Sequence, residues 1–278
     1  MTAWPTVRPL ILVTNDDGVA SPGLRAAAEA VAPLGELLIV APATQQTSMS
    51  RAFLTGTEFG AIIRHELTVA GETVPAFAVV GSPVMAVTHA LLELADRKPT
   101  LCVSGINYGE NIGGALGISG TVSAALEAEV HGIPGIAASI QADISSWRTF
   151  GQVDWTAAMF FTAALAGQIL DEGLPAEVAL LNLNVPRGAT TGTQVRRTVQ
   201  SRQPYYVQRL PDGARVHADP LRLLVEAVVD EDRLESGSDI QAVILDEVVS
   251  VTPLSWSMTA RTDWRPRVAP DRGRPTTA

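Results

Sequence analysis

The amino-acid sequence predicts a doubly wound α/β fold with a mostly parallel sheet, and three observations lead there. Short apolar runs such as Leu10–Thr14 (LILVT) and Glu36–Ala41 (ELLIVA) lack strict polar alternation, so they read as strands covered on both faces. Helical patterns separate successive runs, which calls for right-handed crossovers between parallel strands. Proline and glycine punctuate the changes, as Pro33 and Gly35 do after the first helix.

Taken in order, Leu10–Thr14 is the first strand. Ser21 and Pro22 supply an N-cap and a first helical position for the Ala-rich run Leu24–Val31. Glu36–Ala41 is the second strand and Val74–Val80 the third. Ser82-Pro83 opens a helix running to about Ala95, and Leu101–Ser104 is the fourth strand. A Gly/Asn-rich loop leads to a helix over Ser119–Val130 and a fifth strand over Ile136–Ile140. Trp155–Leu170 is helical and Val178–Val185 a further strand. Beyond about Gln194 the pattern changes: Leu221–Val229 and Val248–Val251 are expected as hairpins leaving the main sheet. Ser238–Asp246 is expected as a short helix and Arg261–Ala278 as a loose tail.

Composition narrows the function classes. At 278 residues, 46% hydrophobic and 18% charged, the chain supports one substantial core, or a core with a smaller lobe. The net charge of −9 argues against binding long nucleic acid, which calls for a basic face. A small phosphorylated substrate stays compatible, because a divalent metal can supply local positive charge. The sequence has no apolar run of about 18 residues, the length of a membrane helix. Cys102 is the only cysteine, and Met1–Pro9 lacks a signal-peptide apolar core, so a cytoplasmic location is expected.

In an open α/β sheet ligands bind beyond the carboxyl ends of the strands. The first strand ends in Thr14-Asn15-Asp16-Asp17-Gly18, the second in Ala41-Pro42 and the polar loop Ala43–Ser48, and the fourth in Ser104-Gly105-Ile106-Asn107 with Asn111 following. These are oxygen donors, suited to Mg²⁺ or Mn²⁺ rather than zinc. Two adjacent carboxylates repel unless a cation or proton lies between them, so Asp16 and Asp17 are read as metal ligands in preference to a solvated turn. Ser119-Gly120-Thr121 opens a helix whose free N–H groups and dipole suit a phosphate, although an ordinary N-cap explains the serine equally well. Asn15 and Asn111 join these three as candidate phosphate-binding residues. The four histidines are scattered, and no nucleophile elbow, P-loop or dinucleotide fingerprint is present.

Ile11–Gly18 (ILVTNDDG), Val103–Gly109 (VSGINYG), Ser119–Glu127 (SGTVSAALE), Leu183–Pro186 (LNVP) and Val251–Leu254 (VTPL) resemble, in order and spacing, the SurE family of 5′/3′-nucleotidases. The resemblance covers about residues 9 to 256. It implies a Rossmann-like core with a protruding hairpin region, in a homodimer exchanging C-terminal elements or a homotetramer. It also implies a metal-dependent acid phosphatase acting on nucleoside monophosphates, with one divalent ion per subunit. By position the family's acidic ligands fall on Asp16 and Asp17, its amide ligand on Asn107 and its serine ligand on Thr47. The chain departs from the family in having Ala41-Pro42-Ala43 for Ala-Pro-Asp and Ser50-Arg51-Ala52 for Gly-His-Ser. On this reading residues 1–192 form the core with the metal site, 193–264 the hairpin and oligomerisation elements, and 265–278 a disordered tail. Asp16 is the expected catalytic residue, assisting proton transfer from an attacking water. A nucleoside hydrolase, a non-catalytic nucleotide-binding relative and a bare oligomerisation scaffold are the rivals.

Overall fold

The computed structural model of the chain describes residues 8–211 and 223–259. Its strands are β1 (Leu10–Thr14), β2 (Glu36–Pro42), β3 (Ile62–Val69), β4 (Glu72–Val79), β5 (Leu101–Tyr108), β6 (Gly135–Ile140), β7 (Leu180–Val185), β8 (Val195–Arg197), β9 (Tyr206–Arg209), β10 (Leu224–Ala227) and β11 (Val249–Leu254). The α-helices are α1 (Pro22–Val31), α2 (Pro83–His89), α3 (Gly120–Val130) and α4 (Thr156–Glu172). Nine strands form one sheet in the order β3-β4-β2-β1-β5-β6-β7-β11-β8, and β9 and β10 pair separately as an antiparallel hairpin.

The strands from β4 to β7 in this order run parallel; helices make the crossovers except between β2 and β4, where the chain passes through the antiparallel edge strand β3. Side chains of β1 show why its apolar run is continuous. Ile11 and Val13 pack with α1 and α4 on one face, whereas Leu10 and Leu12 pack with α2 and α3 on the other. Ser21 caps α1 as expected, its Oγ accepting from the Gly23 N–H at 3.2 Å with Pro22 at the first helical position.

Two expectations need correction. Val248–Val251 does not leave the sheet. Its residues from Val249 onward belong to β11, which lies antiparallel to β7 and parallel to β8. Residues on β11 such as Val249 and Val251 are buried in the main core, and that burial wins over the turn-rich flanks that suggested a detached hairpin. Strand β3 was not expected at all. It is an edge strand, mostly exposed and rich in charge (IIRHELTV), so it lacks the apolar run that marks the central strands. Of the expected Leu221–Val229 run, Leu224–Ala227 forms β10, and residues 221 and 222 lie outside the described residues. The expected tail from Arg261 onward also lies outside them. No helix among the described residues is long and apolar enough to cross a membrane.

Candidate active site

The chain leaves β1 toward β2 on one side and returns to β5 on the other, so the strand order reverses at the β1/β5 boundary. Loops after these two strands turn in opposite directions and open a crevice, the usual ligand position in this architecture. Asp16 and Asp17 follow β1 there, and both are only 3% exposed. Asn15 closes the turn that holds them. Its Nδ2 donates to the Gly18 carbonyl at 3.1 Å, and its Oδ1 accepts from the Gly18 N–H at 3.0 Å. Both ends of the Asn15 amide are therefore engaged in the turn.

Each aspartate is aimed by a partner from another loop. The Thr121 hydroxyl at the start of α3 donates to Asp16 Oδ1 at 2.6 Å. Gly120 passes so close that a Cβ built on it would lie 2.6 Å from Asp16 Cβ, so a side chain at this position would displace the carboxylate. Gln45 Nε2 donates to Asp17 Oδ1 at 2.9 Å and to the Trp147 carbonyl at 2.7 Å, and the Tyr108 N–H donates to Asp17 Oδ2 at 3.3 Å. Strand β5 carries an irregularity here: its register against β6 shifts between Ser104 and Asn107. Gly105 sits in the shift with φ of +135°, and a Cβ there would lie 2.2 Å from the Ala138 carbonyl oxygen, so only glycine fits. A bulge of this kind re-aims the next side chain. Beyond Ile106 the pairing with β6 resumes at Asn107, opposite Ser139, and the Asn107 Nδ2 donates to the Gly109 carbonyl at 2.7 Å.

Asn111 is fixed from the neighbouring strands. Its N–H donates to Asn184 Oδ1 at 2.7 Å, and its carbonyl accepts from Asn182 and Asn184 of β7 at 2.8 and 3.1 Å. Its Nδ2 reaches Ser139 Oγ on β6 at 3.0 Å and Thr121 Oγ1 at 3.4 Å. Ser119 caps α3, its Oγ accepting from the Val122 N–H at 3.1 Å.

A small recess gathers these groups; Asp16, Thr47, Asn107, Asn111 and Ser119 line it, as do Glu110, Trp147 and Tyr206. Asp17, Gly120 and Thr121 stand directly behind that wall through the contacts above, whereas Asn15 stays in its turn. Sequence reasoning missed Gln45, Tyr108, Ser139, Asn182 and Asn184, which orient the named residues. The Asn182–Asn184 alternation on an otherwise apolar strand was an available signal, since buried amides on one face of a core strand need partners.

Electrostatically the site is unfinished. Burial pushes the Asp16 carboxyl well above the usual carboxylate range, the Asp17 charge adds to the push, and the Thr121 hydrogen bond opposes it. Burial raises Asp17 as well, against the hydrogen bonds from Gln45 and Tyr108. Among the described residues no basic side chain forms an ion pair with either aspartate. Nor do the described residues place three or more His, Cys, Asp or Glu together in a metal cage. Two buried carboxylates with neutral hydroxyl and amide oxygens around them fit one hard divalent cation, which would neutralise them.

Comparison with known proteins gives a consistent picture. The family model described as "Survival protein SurE" matches residues 11–206. A protein named 5′-nucleotidase SurE from Thermococcus gammatolerans is 38% identical over 258 residues, covering 91% of this chain and 92% of that one. Its namesake from Methanocella arvoryzae is 40% identical over 259 residues, covering 90% and 93%. Among solved structures, that of the SurE protein from Aquifex aeolicus superposes with a TM-score of 0.70 at 30% identity, covering 90% of this chain and 95% of that one.

Proposed function

Because the chain belongs to the SurE family, we propose that it hydrolyses nucleoside 5′- or 3′-monophosphates to nucleoside and phosphate with one divalent cation per subunit. It is a nucleotidase, a phosphoric monoester hydrolase. The observation that supports the metal most directly is the pair Asp16 and Asp17, buried side by side without a basic partner among the described residues. Asp16, Asp17, Thr47 and Asn107 would hold the ion, with Mg²⁺ or Mn²⁺ as the matching hard cations. When bound, the ion supplies positive charge that offsets the carboxylates and polarises a phosphoryl oxygen.

The remaining chemistry falls to the protein. Thr121 holds Oδ1 of Asp16, so the other carboxylate oxygen is the one that orients a water and accepts its proton as that water attacks phosphorus. Asn111, held rigid by β6 and β7, lines the recess where the phosphoryl group would sit, and the N–H groups opening α3 behind Ser119 supply donors where negative charge builds up. As the water oxygen bonds to phosphorus, the bond from phosphorus to the nucleoside oxygen breaks, and that oxygen takes up a proton from solvent. We extend the reading to the assembly: residues 193–264 supply the contacts of a homodimer or homotetramer, and the protein works in the cytoplasm.

Phosphate release measured over a panel of nucleoside monophosphates, with Mg²⁺, Mn²⁺ or chelator, tests this function. Release with metal and none with chelator is the expected result. Liberation of free base instead of phosphate would place the chain with nucleoside hydrolases, and metal-independent turnover would contradict the ligand assignment.

A further inference from the structure

Thr47 reaches the recess from the stretch of turns between β2 and β3. On its N-terminal side that stretch is tied to the aspartates: the Gln46 N–H donates to the Asp16 carbonyl at 2.7 Å, and Gln45 holds Asp17. On its C-terminal side the backbone is unusual. Ser48 and Ser50 take φ values of +65° and +52°, in the left-handed region that favours glycine. A serine keeps such a conformation where its surroundings hold it there. Here the Ser50 N–H donates to the Ile118 carbonyl at 3.2 Å, and Ser50 Oγ donates to the Gly117 carbonyl at 3.1 Å. Next to it, Arg51 Nε donates to Glu127 Oε2 on α3 at 3.1 Å, and a terminal guanidinium nitrogen meets the same oxygen. Glu127 is only 4% exposed, so one half of this pair is shielded from bulk water. The guanidinium carbon of Arg51 also stands 4.9 Å from the centre of the Trp256 ring, and Trp256 Nε1 donates to Glu129 on the same helix.

We propose that Arg51 is a positioning residue for the metal site: its pair with Glu127 straps the Thr47 loop to α3 and so sets where Thr47 stands relative to Asp16 and Asp17. The proposal rests on the ligand reading above and assigns a support to its one hydroxyl member. Helix α3 is the common frame. Its first turn braces Asp16 through Thr121, and Glu127, about 9 Å further along the axis by the helical rise, braces the loop. Two ligand-bearing segments are thereby referred to one stiff element. Thr47 needs this more than the aspartates do. A carboxylate attracts a cation from a distance, whereas a neutral oxygen contributes only in contact with it. A loose loop would have to be ordered each time the ion bound, which lowers affinity.

The competing account gives the Arg51–Glu127 pair a role in fold stability alone, and metal affinity separates the two. Mn²⁺ is titrated into chelator-treated protein below its melting temperature, and free Mn²⁺ is measured by electron paramagnetic resonance. Arg51→Ala should weaken binding by about tenfold or more, the usual effect of removing the support of a ligand. Thr47→Ala alone should weaken it by a similar factor. Added to Arg51→Ala it should change binding by less than about twofold, because the hydroxyl is already out of place. Arg51→Ala strands the Glu127 charge in the interior, so Arg51→Met combined with Glu127→Gln, which leaves no unpaired charge, is measured alongside and should show the same loss. A lowered melting temperature with unchanged Mn²⁺ affinity would overturn the proposal. Independent, multiplying effects of Arg51→Ala and Thr47→Ala would overturn it too. Unchanged binding in Thr47→Ala would remove that ligand and its strap together. No Mn²⁺ binding by the unmodified protein would instead refute the metal site itself, and the strap's role with it.

Discussion

Two charged pairs in this molecule sit at opposite extremes. On the β9–β10 hairpin Arg209 and Glu226 form an opposite-charge pair at 2.6 Å, about half exposed, on strands that touch solvent. At the end of β1, Asp16 and Asp17 form a like-charge pair, almost fully buried, with no basic partner among the described residues. The first arrangement is easy to build and contributes little, because water screens it. The second is destabilising for the fold on its own. A site that keeps such a pair, and braces it with Thr121, Gln45 and the Tyr108 N–H, is organised around something it binds. The contrast separates charge that solvates a surface from charge that does chemistry.

The largest expected effect comes from removing half of the buried pair. Asp16→Asn should lower turnover of a chromogenic phosphate ester by on the order of a thousandfold or more, and circular dichroism should show the fold intact. The melting temperature of its chelator-treated form should match or exceed that of the unmodified protein, since a buried repulsion is gone. Near-normal activity would remove Asp16 from the mechanism. Next is the glycine beneath that carboxylate. Gly120→Ala places a methyl group 2.6 Å from Asp16 Cβ, and a displaced catalytic group of this kind lowers kcat by roughly tenfold to a hundredfold. An unaltered kcat would mean the Asp16 position is not critical.

A pH series sharpens the comparison further. Both aspartates have folded-state pKa values raised above the ordinary 3.8. Between 3.8 and those raised values the folded chain binds more protons than the unfolded chain, so metal-free stability falls as pH rises toward neutrality. Melting curves in chelator should decline over that window, and Mn²⁺ should reverse the decline, most strongly at the high-pH end where both carboxyls are ionised. Stability that rose with pH in chelator would contradict the burial argument. The smallest effect belongs to the hairpin: Arg209→Ala should shift the melting temperature by no more than about one or two degrees and leave the metal requirement unchanged.

How much of this was legible in the sequence follows from the range of the interactions. Strands β1, β2 and β6 were readable because burial on both faces makes their residues locally apolar. The Asp16-Asp17 pair and the Ser119 cap were readable because each is defined within a few residues. Asn15 is next to the aspartates in sequence and turns its amide onto Gly18, a contact equally local. What aims the carboxylates could not be read locally, since Gln45 reaches Asp17 across 28 residues and Thr121 reaches Asp16 across 105. The displacement of Asn107 by the bulge at Gly105 depends on the Ala138 carbonyl of the neighbouring strand. Strand β11 was misplaced because its pairing with β7 is decided by the core it covers, not by its own flanks.

The account's central claim is that one divalent cation completes the buried pair. Calorimetric titration of Mn²⁺ into chelator-treated protein, in two buffers of different ionisation enthalpy, addresses it directly. The expected result is one site per chain with proton release near neutral pH, and no binding in the Asp16→Asn, Asp17→Asn double variant. Absence of binding in the unmodified protein, or undiminished binding in the double variant, would contradict it.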